Sequence, residues 1–210
     1  MSFYNKEKLL SSIQALLAET EKKEDTIEIQ LSIKGYDLKR DVRFDGNVLL
    51  PHPKRLKEKV VVIGDKALEE EAAKHEIPFI SFETVAGKNV EKNKLKKKIA
   101  KSNHGVITLT NFNRFFEISF FNRKRTPLYF YKPGTDLKTC YEEISRTCKF
   151  KLRNNTVLSF AAGYVELGEE KIFQNVQAGL DFFVTLLKKG VSNIASVNIK
   201  SNQSKAIKLY

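Results

Sequence analysis

Ile27, Ile29, Leu31 and Ile33 take every second place between Thr26 and Lys34, with Glu28, Gln30 and Ser32 standing between them. Successive side chains of a strand point to opposite faces, so this spacing predicts a half-buried strand with one apolar and one polar face. The apolar face needs a cover. Leu9, Leu10, Ile13, Leu16 and Leu17 supply one, because they fall on one stripe of a helix over residues 5–19, with Asn5 as its cap. The polar face, Thr26, Glu28, Gln30, Ser32 and Lys34, is left as a surface, continued by a turn-rich loop that carries Lys39, Arg40 and Arg43. A short strand, Val48 to Leu50, follows and is stopped by Pro51 and Pro53.

A different pattern begins after a linker, Pro51-His52-Pro53-Lys54-Arg55. Val60-Val61-Val62-Ile63 is a continuous apolar run closed by Gly64-Asp65, which predicts a strand buried on both faces feeding a helix from Lys66 to His75. Ile77-Pro78-Phe79-Ile80, a lysine-rich helix from Lys88 to Lys101 and a strand from Gly105 to Leu109 extend the alternation. Residues 59–149 therefore read as a three-layer α/β unit. Within it, residues 120–136 read as an exposed basic and aromatic loop, followed by a helix to Arg146. Asn154-Asn155 predicts a hairpin between strands at Lys149 to Arg153 and Thr156 to Glu166. A helix opening at Leu167-Gly168-Glu169-Glu170 and closing at Lys188-Lys189-Gly190, then a strand from Ile194 to Lys200, complete the reading.

Of 210 residues, 37 are Lys or Arg and 25 are Asp or Glu, a net charge of +12 that favours a polyanionic partner. Cutting at residues 58 and 150 gives +1, +7 and +4 for the three segments, with the middle excess concentrated in Lys88, Lys92, Lys94, Lys96, Lys97, Lys98 and Lys101. No apolar run approaches the ~18 to 20 residues of a membrane span. The stretch from Leu9 to Ala18 is flanked by Glu7, Glu19 and Glu21 and is amphipathic, unlike a secretion signal. Cys140 and Cys148 are too few for a disulfide framework, which fits a reducing compartment, and no partner stands at metal-ligand spacing.

Reaction chemistry finds little footing. His52, His75 and His104 have no nucleophile at a catalytic spacing. Gly64 stands alone where a phosphate-binding loop needs several glycines, so it reads as a strand-to-helix turn. Glu69-Glu70-Glu71 and Glu142-Glu143 are adjacent on helices and do not face one another as paired carboxylates would. No catalytic, metal or cofactor site is expected. A polar strand face suits ribose hydroxyls and base edges, and the nearby basic residues suit phosphates, which points to RNA.

Several blocks then resemble one known family from end to end. They are Ile29 to Asp37, Asp41 to Val48, Val61 to Asp65, Phe182 to Lys189, Ile199-Lys200-Ser201 and the closing Leu209-Tyr210. Together they look like the L-one family of ribosomal proteins, in its eukaryotic L-ten-a branch. The resemblance implies an α/β fold with an α+β first domain, residues 1–58 plus 150–210, and an inserted Rossmann-like second domain, residues 59–149. It implies no catalysis. It implies binding to large-subunit ribosomal RNA at the base of the mobile stalk beside the exit site, transient contact with deacylated transfer RNA, and a place in cytoplasmic ribosomes assembled in the nucleolus.

The RNA surface implied on the first domain takes in Thr26, Glu28, Gln30, Ser32, Lys34, Arg40, Arg43 and the segment Ser201, Asn202, Gln203, Ser204 and Lys205. Where the family carries Thr-Met-Gly after its last strand, this chain has Asn202-Gln203-Ser204, so an apolar contact becomes polar and a glycine's open backbone space is closed. An aromatic common before the first strand is replaced near Lys23, and the glycine-rich loop of the second domain is reduced to Phe121 to Pro127. Two other readings stand beside this one: a ribosome-assembly factor of the same family, and a nucleotide-dependent enzyme on the middle domain.

Overall fold

The structure, a computed structural model, describes residues 4–87, 89–112 and 126–210. The chain divides into two compact units, Met1–Leu56 with Arg146–Tyr210, and Lys57–Ser145.

Unit 1 is built on a four-stranded antiparallel sheet. Its order is β10 (Ile207–Lys208), β9 (Ile194–Ser201), β1 (Thr26–Ile33) and β8 (Val157–Tyr164). The alternation along β1 is realised in full: Ile27, Ile29, Leu31 and Ile33 are buried and the residues between them are half-buried. Helices α1 (Lys6–Glu19) and α6 (Glu169–Leu186) bring Leu9, Ile13, Leu16, Ile172, Val176, Leu180 and Phe183 into the same core as those isoleucines. Asn5 caps α1 through its Oδ1, which accepts from the Glu7 N–H at 2.9 Å. Gly179 lets α6 approach the sheet, since a Cβ there would lie 2.6 Å from the Phe160 ring.

The expected hairpin across Asn154-Asn155 does not form. β7 (Thr147–Lys151) pairs instead with β2 (Asp45–Leu49) in a separate two-stranded sheet, while β8 joins β1. Phe150 and Leu152 are drawn into the core beside Phe160 and Phe183, and that burial outweighs the local turn preference of two asparagines. The segment expected as a linker is fixed: Asn175, fully buried on α6, accepts from the His52 N–H at 2.9 Å and donates to the His52 carbonyl at 3.2 Å and the Ala162 carbonyl at 2.8 Å. Lys54, also buried, donates to the Thr147 carbonyl at 2.6 Å.

Unit 2 carries a parallel sheet of order β4 (Phe79–Ser81), β3 (Val60–Gly64), β5 (Gly105–Leu109) and β6 (Leu128–Tyr131). Every residue of β3 is buried, as the unbroken apolar run requires. Val60 and Val62 face a layer with α2 (Lys66–Lys74) and α5 (Leu137–Arg146). Val61 and Ile63 face the opposite layer, with α3 (Phe82–Val85) and α4 (Val90–Ser102). Three layers result. Leu128 to Tyr131, expected inside an exposed loop, form an edge strand with Tyr131 buried, because β5 offers them a free ladder of backbone groups. Residues 120–125 of that expectation, and Phe121 to Arg125 of the altered family loop, lie outside the described residues.

Candidate nucleic-acid interface

The outward residues of β1 sit at the centre of a sheet face that neither α1 nor α6 covers. Register brings polar neighbours on the β9 side, where Glu28, Gln30 and Ser32 stand opposite Lys200, Asn198 and Ser196, and a mixed set on the β8 side, where they stand opposite Ala161, Ser159 and Val157. Thr26 stands opposite Tyr164, and Lys208 of the last strand stands opposite Asn198. The result is a platform of hydroxyls and amides with one carboxylate and two ammonium groups. Lys200, Asn198, Ser196 and Ser159 were not singled out from the sequence. The alternation of β9 carried the signal, but a period of two says nothing about which strands become neighbours.

The segment after β9 closes the Thr26 end of the platform. Ser201, one of the expected contacts, is fully buried. It builds the turn: its N–H donates to Ser204 Oγ at 2.8 Å, and its Oγ accepts from the Ser204 and Gln203 amides at 3.1 and 3.3 Å. Thr20, the residue that ends α1, holds its Oγ1 3.1 Å from Ser201 Oγ and donates to the Leu16 carbonyl. Among the described residues only Glu76 is a non-glycine with positive φ, so the Asn202-Gln203-Ser204 turn needs no glycine. Asn202, Gln203 and Lys205 are exposed around this framework.

The basic loop lies at the other end. Lys34 is roughly 26 Å from Thr26 along the strand, at about 3.3 Å per residue, so the predicted residues fall into two clusters joined by the sheet face. Lys34 is exposed while its backbone is clamped by buried Asn193, whose carbonyl accepts from the Lys34 N–H at 2.8 Å and whose Nδ2 donates to the Lys34 carbonyl at 3.0 Å. Asp37 closes the loop by accepting the Arg40 and Asp41 amides on its carbonyl and the Lys39 amide on its carboxylate. Arg40 keeps 89% of its side chain in solvent with Asp37 3.8 Å away, and Arg43 donates to the Leu38 carbonyl at 3.2 Å. Tyr36 accepts from the Lys188 N–H and packs edge-on to Phe44, tying the loop to α6.

The Lys188 ammonium donates to Asp41, and that bond, helped by the Asp37 N–H, holds the Asp41 carboxyl below its usual range. A carboxylate with a depressed folded-state pKa adds stability above the unfolded value of about 3.9, and the contribution disappears as pH falls through the folded value. The loop should therefore stay closed through neutral pH and loosen in acid. Amide exchange at Arg40 and Asp41 checks this: Lys188→Met should speed exchange at pH 7 and remove the acid dependence, and an unchanged exchange rate would mean that the ion pair does not hold the loop.

Unit 2 offers no comparable surface for a nucleotide phosphate at its first strand-to-helix turn. A Cβ on Gly64 would lie 2.6 Å from Leu68 Cδ2, so the space that glycine leaves is already filled by the next turn of α2. Among the described residues no three His, Cys, Asp or Glu side chains could hold a metal ion together, and no helix is long and apolar enough to cross a membrane. Neither Cys140 nor Cys148 is in a disulfide, and Cys148 is buried against the Ala161 carbonyl.

Comparison with known proteins agrees with this architecture. Residues 12–205 match the model of the ribosomal protein L1p/L10e family. The large ribosomal subunit protein uL1 of Caenorhabditis elegans is 34% identical over 218 residues, covering all of both chains. The protein of that name from Entamoeba histolytica is 33% identical, over 90% of this chain and 92% of its own, and that from Encephalitozoon cuniculi is 26% identical over 88% and 84%. With the family model spanning most of the sequence and full-length relatives above 30% identity, this chain belongs to the ribosomal protein L1p/L10e family.

Proposed function

We propose that this protein is a structural, non-enzymatic constituent of the large ribosomal subunit, and that it holds ribosomal RNA on the uncovered face of the unit 1 sheet. The observation that carries the reading is the register of β8, β1 and β9, which gathers Ser159, Gln30 and Asn198 into one polar row on the face opposite the one packed against α1 and α6. Such a row meets ribose hydroxyls and base edges, whereas the exposed cations at its two ends, Lys34, Arg40 and Arg43 at one and Lys205 at the other, meet phosphates. The RNA is the stalk segment beside the exit site, and exit-site transfer RNA is a transient second partner. Assembly begins in the nucleolus. Domain boundaries near residues 58 and 150 would separate the RNA-holding part from the inserted part.

Binding of the purified chain to the folded stalk segment, against a scrambled RNA of equal length across a salt series, tests the reading. Discrimination of ~1,000-fold or more at physiological salt is expected. Equal, steeply salt-dependent binding to both would sink it. Gln30→Ala and Asn198→Ala should narrow the discrimination, while Lys34→Ala, Arg40→Ala and Arg43→Ala should weaken both RNAs alike and flatten the salt slope by about one unit per lost phosphate contact.

A further inference from the structure

Among the described helices of unit 2, charge is divided between the two sides of the sheet, although α3, beside α4, adds Glu83. α4 holds six lysines and one glutamate, a net of +5 in 13 residues. On the other side, α2 and α5 together hold Lys66, Lys74, Lys138 and Arg146 against five glutamates, a net of −1.

Five of the six lysines of α4 fall into two kinds. Lys92 and Lys96, one turn apart, point back into the unit: Lys92 donates to the Glu83 carbonyl at 2.9 Å and to the Ala86 carbonyl, and Lys96, only 4% exposed, donates to the Gly87 carbonyl at 2.6 Å. Those ammonium groups satisfy the backbone where α3 ends, which is reason enough for their charge. Lys94, Lys98 and Lys101 are placed at i, i+4 and i+7, on the side of the helix away from Lys92, Lys96 and Ile99, and all three are exposed. They span roughly 10 Å of helix axis. Glu91, at the start of the helix, is its one acid. Like charges one turn apart weaken a helix in the free protein, and a bound polyanion reverses that sign.

We infer that Lys94, Lys98 and Lys101 form a second RNA contact, one that grips the phosphate backbone without reading sequence. Their axial steps of about 6 and 4.5 Å are of the scale on which charge recurs along a nucleic-acid strand, every ~3.4 Å of axis. An anionic membrane surface is the poorer match. A membrane-lying helix needs a broad apolar face beside its cations, and α4 exposes only Val90 and Leu95 among its large apolar residues. The inference does not depend on which RNA the sheet face holds.

Two charge-matched variants of the full chain test it. Lys94→Gln, Lys98→Gln and Lys101→Gln combined should lower the log–log salt slope by about 2 to 3, at roughly 0.7 to 0.9 per phosphate, on stalk and scrambled RNA alike. Lys66→Gln, Lys74→Gln and Lys138→Gln combined remove the same charge from the opposite layer and should leave the slope nearly unchanged. Equal effects of the two triples, or no effect of the first, would overturn the inference, as would a loss confined to vesicles of anionic phospholipid. Protection of Lys94, Lys98 and Lys101 from acetylation by bound RNA gives a reading on the unmutated chain, and reactivity equal to that of Lys66 would also overturn it. The sheet-face reading fails separately, through lost discrimination in the unmutated protein.

Discussion

Phe183→Ala should destabilise unit 1 by about 3 to 5 kcal/mol, the range for removing a fully buried large aromatic side chain. Phe183 is completely buried on α6 and lies between two aromatic neighbours, Phe150 at 5.5 Å and Phe44 at 6.0 Å between ring centroids. Phe150 in turn stands edge-on to Phe160 at 5.2 Å, and Tyr36 edge-on to Phe44, so one ring supports both the two-stranded sheet and the basic loop. Emptying the site leaves a cavity that neither sheet can collapse into without moving the other. Urea unfolding followed by near-ultraviolet dichroism gives the loss, and Phe183→Leu should recover part of it. The hydrophobic clusters of unit 2 do not contain Phe183, so amide protection in β3 and β5 should hold. Parallel loss of protection there would show that the two cores are not separate.

Asn175→Leu should cost at least about 3 kcal/mol, although it trades an amide for an apolar side chain of similar size. The substitution strips partners from the His52 N–H, the His52 carbonyl and the Ala162 carbonyl at once, and an abandoned buried polar group costs ~1 to 3 kcal/mol. In a chain of this size each kcal/mol lowers the melting temperature by about 2 to 4 °C. Asn175→Asp should also destabilise, because a carboxylate would face two carbonyl oxygens. Amide exchange at His52 separates this mechanism from generic core damage: it should accelerate more than exchange at Leu31 in β1. If His52 stays protected while the melting temperature falls, the Lys54 to Thr147 bond is enough to fix the segment and the asparagine acts elsewhere.

Patterns local to one element were legible in the sequence. The period of two in β1, the stripe of α1 and the unbroken run of β3 each state their own burial, because the chain that carries the pattern also carries its faces. Pairings across long separations were not. Nothing near Asn154-Asn155 announces that Phe150 finds its core beside Phe183, so a hairpin was the natural reading of two strands with a turn between them. Leu128 to Tyr131 followed the same rule, since lysines, a proline and a glycine around them mask a strand whose partner lies some twenty residues earlier. At the candidate interface the polar row of β1 was readable, whereas Asn198, Lys200 and Ser159 became neighbours only through register. Ser201, expected as a contact, is buried with its hydroxyl held in its own turn, a use that polarity in the sequence does not announce.

The pairing of β2 with β7 sets an order of events during synthesis. Leu49 lies opposite Thr147, so the whole of unit 2 is strung between two residues that must meet. Closing a flexible loop of that length costs about 4 kcal/mol of chain entropy, on the (3/2)RT ln n scaling. Unit 2 is translated before either partner of β1 exists, and a domain folds as a unit once its chain is available. The inserted unit thus removes most of the slack ahead of time and leaves a short step for β7 to reach β2. β1 waits longer, since Ser201 opposite Ile27 emerges 174 residues later, roughly 9 to 35 s at ~5 to 20 residues per second. Until Val157 opposite Ser32 emerges, 125 residues on, the four alternating aliphatic residues stand on a strand with two free edges, and the edge meant for β9 stays free longer, which makes this strand a target for nascent-chain chaperones.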